Sequence, residues 1–153
     1  MIRFFLFAPI ALAAAAPALA ADQVALQSNV RVERTEMVDG RQQVVLKAPG
    51  TVVPGDKLLF QTSYKNAAAT PATRFVVTNP VPAAVAWTGE GTAGVEASVD
   101  GGRSFAPLPA LKVKDSDGTP RAAGPADATH LRWTLASIAA GAGGQLSYRG
   151  VVR

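Results

Sequence analysis

The stretch Lys57-Leu58-Leu59-Phe60-Gln61-Thr62-Ser63-Tyr64-Lys65-Asn66 decides the fold. Leu58, Phe60, Thr62 and Tyr64 fall on one side, and Leu59, Gln61, Ser63 and Lys65 on the other. A strand with one buried face gives this alternation, because successive side chains leave it in opposite directions. The first group is the expected core face. Pro54-Gly55-Asp56 before it is a turn signal, since Pro presets φ and Gly accepts positive φ. Residues 66–70 after it are expected to form a small-residue turn.

The same period extends in both directions. Residues 24–38 place Val24, Leu26, Ser28, Val30, Val32, Arg34, Glu36 and Val38 at even positions against mostly polar odd ones, a pattern broken in its middle and near its end. Asp39-Gly40 is a hairpin signal, with residues 43–47 as the returning strand. Downstream, residues 73–79 put Phe75 and Val77 on one face and Arg74, Val76 and Thr78 on the other, and Pro80 and Pro82 end the run. A short strand surrounds Trp87. Val95, Ala97 and Val99 alternate up to Asp100-Gly101-Gly102, a second expected hairpin turn, with Ser104-Phe105 on the return. Residues 111–113, 130–135 and 146–152 complete the set; Leu131, Trp133 and Leu135 share a face, and residues 141–144 form the last turn. Segment 106–127, with Pro107, Pro109, Pro120 and Pro125, is the loosest part. About eight or nine short strands with regular turn signals predict an all-β chain, a single antiparallel sandwich over residues 21–153.

Composition narrows the function. The 14 Gly and 11 Pro exclude a helical bundle, because Gly costs backbone entropy and Pro removes a donor. No Cys and one His exclude thiol catalysis, thiolate metal sites and a histidine-rich centre. Phe60, Tyr64, Phe75, Trp87, Phe105, Trp133 and Tyr148 are the expected core, each able to bury ~150 to 250 Å².

Residues 1–20 read as a signal peptide. Met1-Ile2-Arg3 gives a short positive start, an apolar stretch follows, and Pro17-Ala18-Leu19-Ala20 matches the small-residue cleavage rule, so cleavage is expected between Ala20 and Ala21. The alternative, an uncleaved span over residues 4–21, contains Pro9 and Pro17 and barely meets the roughly 20-residue spanning length. The product is expected to be exported, periplasmic or extracellular, with no transmembrane anchor in the mature chain.

Four groupings invite chemistry, and each has a plainer reading. Asp127, His130 and Ser137 suggest a triad, but no G-x-S-x-G elbow accompanies them and His130 alternates outward beside Arg132. Asp115-Ser116-Asp117-Gly118 resembles part of a calcium loop, yet Lys112, Lys114 and Arg121 flank it and a closing bidentate acid is missing, so a plain turn is expected. The pI near 9.9 suggests an anionic partner. Glu33, Glu36 and Asp39 interleave with Arg31, Arg34 and Arg41, however, and export removes access to nucleic acid. Gly141-Ala142-Gly143-Gly144 leads into a strand rather than the helix a phosphate cradle needs. No catalytic, cofactor-binding or metal-binding residue is assigned.

The stretch Val53-Pro54-Gly55-Asp56-Lys57-Leu58-Leu59-Phe60, with Tyr64-Lys65-Asn66, Pro71-Ala72-Thr73 and Val76-Val77-Thr78-Asn79-Pro80-Val81-Pro82-Ala83, resembles the bacterial conserved-repeat domain, domain of unknown function eleven. Ser98-Val99-Asp100-Gly101-Gly102-Arg103-Ser104-Phe105, Ala126-Asp127-Ala128-Thr129-His130-Leu131-Arg132-Trp133 and Ile138-Ala139-Ala140-Gly141 extend the resemblance to the C-terminus. It implies an Ig-like β-sandwich of exported or surface proteins, usually without known catalysis. Asn79 stands where that family usually has Asp, and Ala140 where a Pro usually precedes the Gly. These motifs are turn and strand signatures, so they bear on fold more than function.

The expectation is therefore a non-enzymatic exported module acting on an unidentified protein or envelope component, as a monomer. The alternative is a self-assembling surface or fibre subunit that uses strand 24–38 to extend a neighbour's sheet. A hydrolase ranks third.

Overall fold

The computed structural model describes residues 23–153. The expected cleavage site at Ala20 and Ala21 lies outside them. The described chain is an antiparallel all-β sandwich, as its alternation predicts. Its strands are β1 (Val24–Val38), β2 (Arg41–Lys47), β3 (Lys57–Asn66), β4 (Ala72–Pro80), β5 (Val85–Gly91), β6 (Glu96–Ser98), β7 (Lys112–Lys114), β8 (Pro120–Ala122), β9 (His130–Ile138) and β10 (Gly143–Val152). Five strands form one sheet in the order β2-β1-β3-β10-β5, three form the facing sheet in the order β4-β9-β6, and β7 pairs with β8 in a separate small hairpin.

Local chemistry explains the joints. Asp39 and Gly40 both take positive φ, 51° and 76°, which a two-residue turn whose twist matches its strands requires. The turn sets Val38 against Arg41 and fixes the register down to Val32 against Lys47. β3 is the centre of the large sheet, with Leu58, Phe60, Thr62 and Tyr64 facing Val32, Val30, Ser28 and Leu26 on one side and Gly150, Tyr148, Leu146 and Gly144 on the other. Gly150 is obligatory, because a Cβ there would lie 2.4 Å from Val85 Cγ1.

The core lies where the small sheet covers the large one. Val32, Leu58, Val85, Trp87, Leu146 and Tyr148 meet Val77, Ala97, Leu131 and Trp133 across the layer. Each buried aromatic with a polar group has a partner: Trp87 Nε1 donates to Glu90 O at 2.9 Å, Trp133 Nε1 to Thr92 O at 3.1 Å and Tyr148 Oη to Pro80 O at 3.2 Å. Among the described residues, no buried side-chain polar atom is left without a hydrogen bond.

Several details depart from expectation. Ten strands form rather than eight or nine, because the loosest segment folds a hairpin of its own, β7–β8, flanked by 3₁₀ turns at Leu108–Ala110 and Pro125–Asp127. The return after Asp100 does not become a strand; Ala97 and Ala106 form only an isolated bridge. Phe105 consequently stays outside the core, with the Arg132 guanidinium 4.2 Å above its ring. Phe60, Tyr64 and Phe75 are only partly buried, packed against the core rather than inside it. Gly143 and Gly144 belong to β10 rather than to the turn. Asn66 closes β3 and is fully buried, at 0 % exposure.

Three strands cannot cover five. β2 is hydrogen-bonded only to β1 and stays exposed along nearly its whole length. Leu26 on β1 keeps 48 % of its surface exposed although it shares the face of Val30 and Val32.

Candidate functional site

The groupings singled out in the sequence fall in separate places. His130 and Ser137 both lie on β9, seven residues apart, which is roughly 23 Å along an extended strand. Asp127 is held by Arg121, with Arg121 Nη2 donating to Asp127 Oδ1 at 2.8 Å and the Gly124 N–H donating to Asp127 Oδ2 at 2.8 Å. The guanidinium lowers the Asp127 carboxyl to about 2. His130 Nδ1 contacts the Thr129 hydroxyl at 3.2 Å. The structure does not bring the three together.

The Asp115–Gly118 segment is the turn of the β7–β8 hairpin. Asp115 pairs with Arg121 at 2.6 Å, and Asp117 accepts from the Thr119 N–H at 2.9 Å. Among the described residues, no cluster of three His, Cys, Asp or Glu has metal-holding geometry. The arginine-rich first hairpin is laced with acids: Arg34 grips Asp56 with both ends of its guanidinium, Lys47 pairs with Glu36, and Glu33 reaches Arg149 at 3.1 Å. This is a compensated surface. The segment Gly141-Ala142-Gly143-Gly144 leads into a strand rather than a helix, its last two residues already belonging to β10.

Two polar centres escaped sequence reasoning. Asn66 donates from Nδ2 to Thr70 O, Ile138 O and Ala139 O at 2.9, 3.0 and 3.2 Å, and its Oδ1 accepts from the Ala68 N–H at 3.0 Å. It ties the end of β3 to the β9–β10 corner. The Asp100 carboxylate accepts from the hydroxyls of Ser98 and Ser104 at 2.7 and 2.6 Å and from the amides of Arg103 and Ser104 at 3.1 and 3.0 Å. The Ser104 and Ser98 hydrogen bonds hold its carboxyl far below the ordinary carboxylate range. Both are structural knots, with every polar atom committed.

What remains unengaged is at the open side of the sandwich. A groove of about 330 Å³ runs beside β4, lined by Ser28, Val30, Phe60, Thr62, Asn79 and Tyr148. Its polar members bond to one another, Thr62 Oγ1 meeting the Ser28 hydroxyl at 2.9 Å and accepting from Asn79 Nδ2 at 3.0 Å. Further out, the hairpin β1–β2 presents an apolar surface. Leu46 pairs with Glu33, Val44 with Thr35 and Gln42 with Met37, so Met37, Val44 and Leu46 share the outer face. Their exposures are 65, 65 and 43 %. β1 is hydrogen-bonded to β3 over Val24–Val32 and to β2 over Val32–Val38, so the free edge at this end of the sheet is β2 together with residues 24–31 of β1, part of the strand expected to carry assembly.

Comparisons with protein-family models, with curated proteins and with solved structures find no match to this chain.

Proposed function

We propose that this chain is a non-enzymatic, exported module of the Ig-like kind that its sequence resembles, and that it works by contact with another protein or an envelope component. The carrying observation is the hairpin β1–β2, whose outer face exposes Met37, Val44 and Leu46 together. Clustered apolar exposure of this kind marks contact sites on soluble proteins. The reading is also supported by the commitment of Asp100, Asp115, Asp127 and Asn66 to bonds that shape loops. Export rests on residues 1–20, with cleavage between Ala20 and Ala21.

A photo-crosslinking residue in place of Val44, introduced in the producing cell, tests the contact. Covalent adducts are expected at Val44 and not at a control position on the opposite sheet, Thr134. Equal labelling at both positions, or ester or peptide hydrolysis lost in His130→Ala, overturns the proposal. Mass spectrometry of the released protein should give an N-terminus at Ala21; retention of residues 1–20 counts against export.

A further inference from the structure

The outer edges of the two sheets are not alike. Residues 24–31 of β1 also lack a neighbour beyond the end of β2, but on the outer face they carry Ala25, Gln27, Asn29 and Arg31 where β2 carries Val44 and Leu46. β4 is interrupted by Arg74 at φ 52° and closes on Pro80, β5 carries a register shift against β10 between Tyr148 and Gly150, and β6 has three residues. Bulges, prolines and short lengths are the ordinary means of blocking an edge. β2 has none of them from Gln42 to Leu46, and its register with β1 is continuous over seven pairs. It is also exposed on both faces along nearly its whole length.

The turn fixes which backbone groups point outward. In a two-residue hairpin the closing pair, here Val38 and Arg41, exchanges both backbone hydrogen bonds. Gln43, Val45 and Lys47 then also point their amides at β1. Gln42, Val44 and Leu46 point theirs to the free edge.

We infer that β2 pairs antiparallel with β2 of a second copy of this chain, on a two-fold axis through Val45. This names the partner for the contact surface proposed above and rests on that reading. The register follows from phase and charge. Outward-pointing residues must oppose one another, which allows an axis through Val44, Val45 or Leu46 but none between two residues. An axis through Val44 sets Arg41 against Lys47 of the partner and Leu46 against Gln42, a like-charge opposition that destabilises a ladder. An axis through Leu46 sets Val45 against Lys47. The axis through Val45 sets Val44 against Leu46 twice, joining four aliphatic side chains on the outer face, and places Lys47 beside Gln43. The nearest cation on the inner face, Arg34, is already neutralised by Asp56. The five-stranded sheet becomes a ten-stranded one, closed by symmetry rather than open to fibre growth.

The chain has no cysteine, so one introduced thiol reports the register directly. On the axis, opposed residues form a non-hydrogen-bonded pair with Cα atoms roughly 4.5 Å apart, within disulfide reach. Under mild oxidation Val45→Cys is expected to give a covalent dimer. Gln43→Cys is not, because the two copies of that residue would be separated by four positions, roughly 13 Å. Sedimentation of the unmodified protein should show a mass near twice the monomer's, and Leu46→Lys should restore a folded monomer whose melting temperature no longer depends on protein concentration. A monomer at every concentration, or crosslinking through Gln43→Cys or Val44→Cys as readily as through Val45→Cys, overturns the inference. Adducts at Val44 with other proteins alongside a monomeric mass would leave the contact reading standing and sink the self-pairing alone.

Discussion

Phe60 and Tyr148, cross-strand partners on β3 and β10, stack with their ring centroids 4.5 Å apart and their planes within 1°. Tyr148 also lies 6.5 Å from Trp133 on the facing sheet, so the pair bridges a half-open position to the deepest part of the core. Trp133→Ala should cost roughly 3 to 5 kcal/mol, since it removes a buried indole and leaves a cavity. Phe60→Ala, at a partly buried site, should cost about 2 to 3 kcal/mol. Chemical denaturation of the two variants checks the order; an equal loss would mean that the stacked pair is core throughout.

The phenol of Tyr148 gives a pH signature. Burial pushes its ionisation up to about 12, from an ordinary value of 10. A raised folded value means that the stability is fully present below 10 and is lost as pH rises toward 12. Melting temperature should fall over that window in the parent and less in Tyr148→Phe, which has no proton to lose.

In acid the direction reverses. Asp127, held at about 2 by Arg121, favours the folded state above its ordinary value of 3.8, and that contribution disappears as pH falls through 2. Asp127→Asn should flatten the acid limb of the melting curve. An unchanged acid limb would show that the Arg121 pairing contributes nothing measurable, as many surface pairs do.

Asn66→Ala should cost about 2 to 4 kcal/mol, because the buried carbonyl of Ile138 and the part-buried one of Ala139 would lose their donor. Asn66→Asp should be worse at neutral pH, with a carboxylate facing three carbonyls, and should partly recover in acid. Thermal denaturation of both variants at pH 7 and pH 4 distinguishes loss of a donor from burial of a charge.

Asp100→Ala should loosen the loop without unfolding the sandwich, since the amides of Arg103 and Ser104 lose their common acceptor. Hydrogen exchange at those two amides should rise sharply while that of Leu131 and Trp133 stays slow. Unchanged protection at Arg103 would show that the bridge at Ala97 and Ala106 holds the loop by itself.

The alternation at 57–65 and 130–135 was enough to identify strands and their core faces, because burial on one side of a pleat imposes a period of two directly on residue type. It was not enough to say how much of each face would be covered. Leu26, Val30 and Val32 carry the same signal, yet Val32 is buried, Val30 only partly so, and Leu26 keeps 48 % of its surface exposed. Leu59 sits on the outer face yet is buried, in register between Arg31 and Arg149. Asn66 and Asp100 resembled ordinary turn residues because their acceptors and donors include residues distant in sequence or arranged by a loop with no period. The exposed hairpin face was invisible for a related reason: Val44, Val45 and Leu46 are consecutive, and consecutive aliphatic residues do not reveal which face meets a neighbour.

β1 and β10 run parallel to each other on either side of β3, with Val24 beside Asn66 and Val151 beside Lys57, at opposite ends of the central strand. A pull applied at Val24 and at Val152 therefore loads both ladders lengthwise. The rows of hydrogen bonds must slide together instead of opening one after another from an end. Under tension the sheet's resistance comes from this shear arrangement, and a tethered molecule held by those two strands would yield abruptly, at a force set by the whole length of β3.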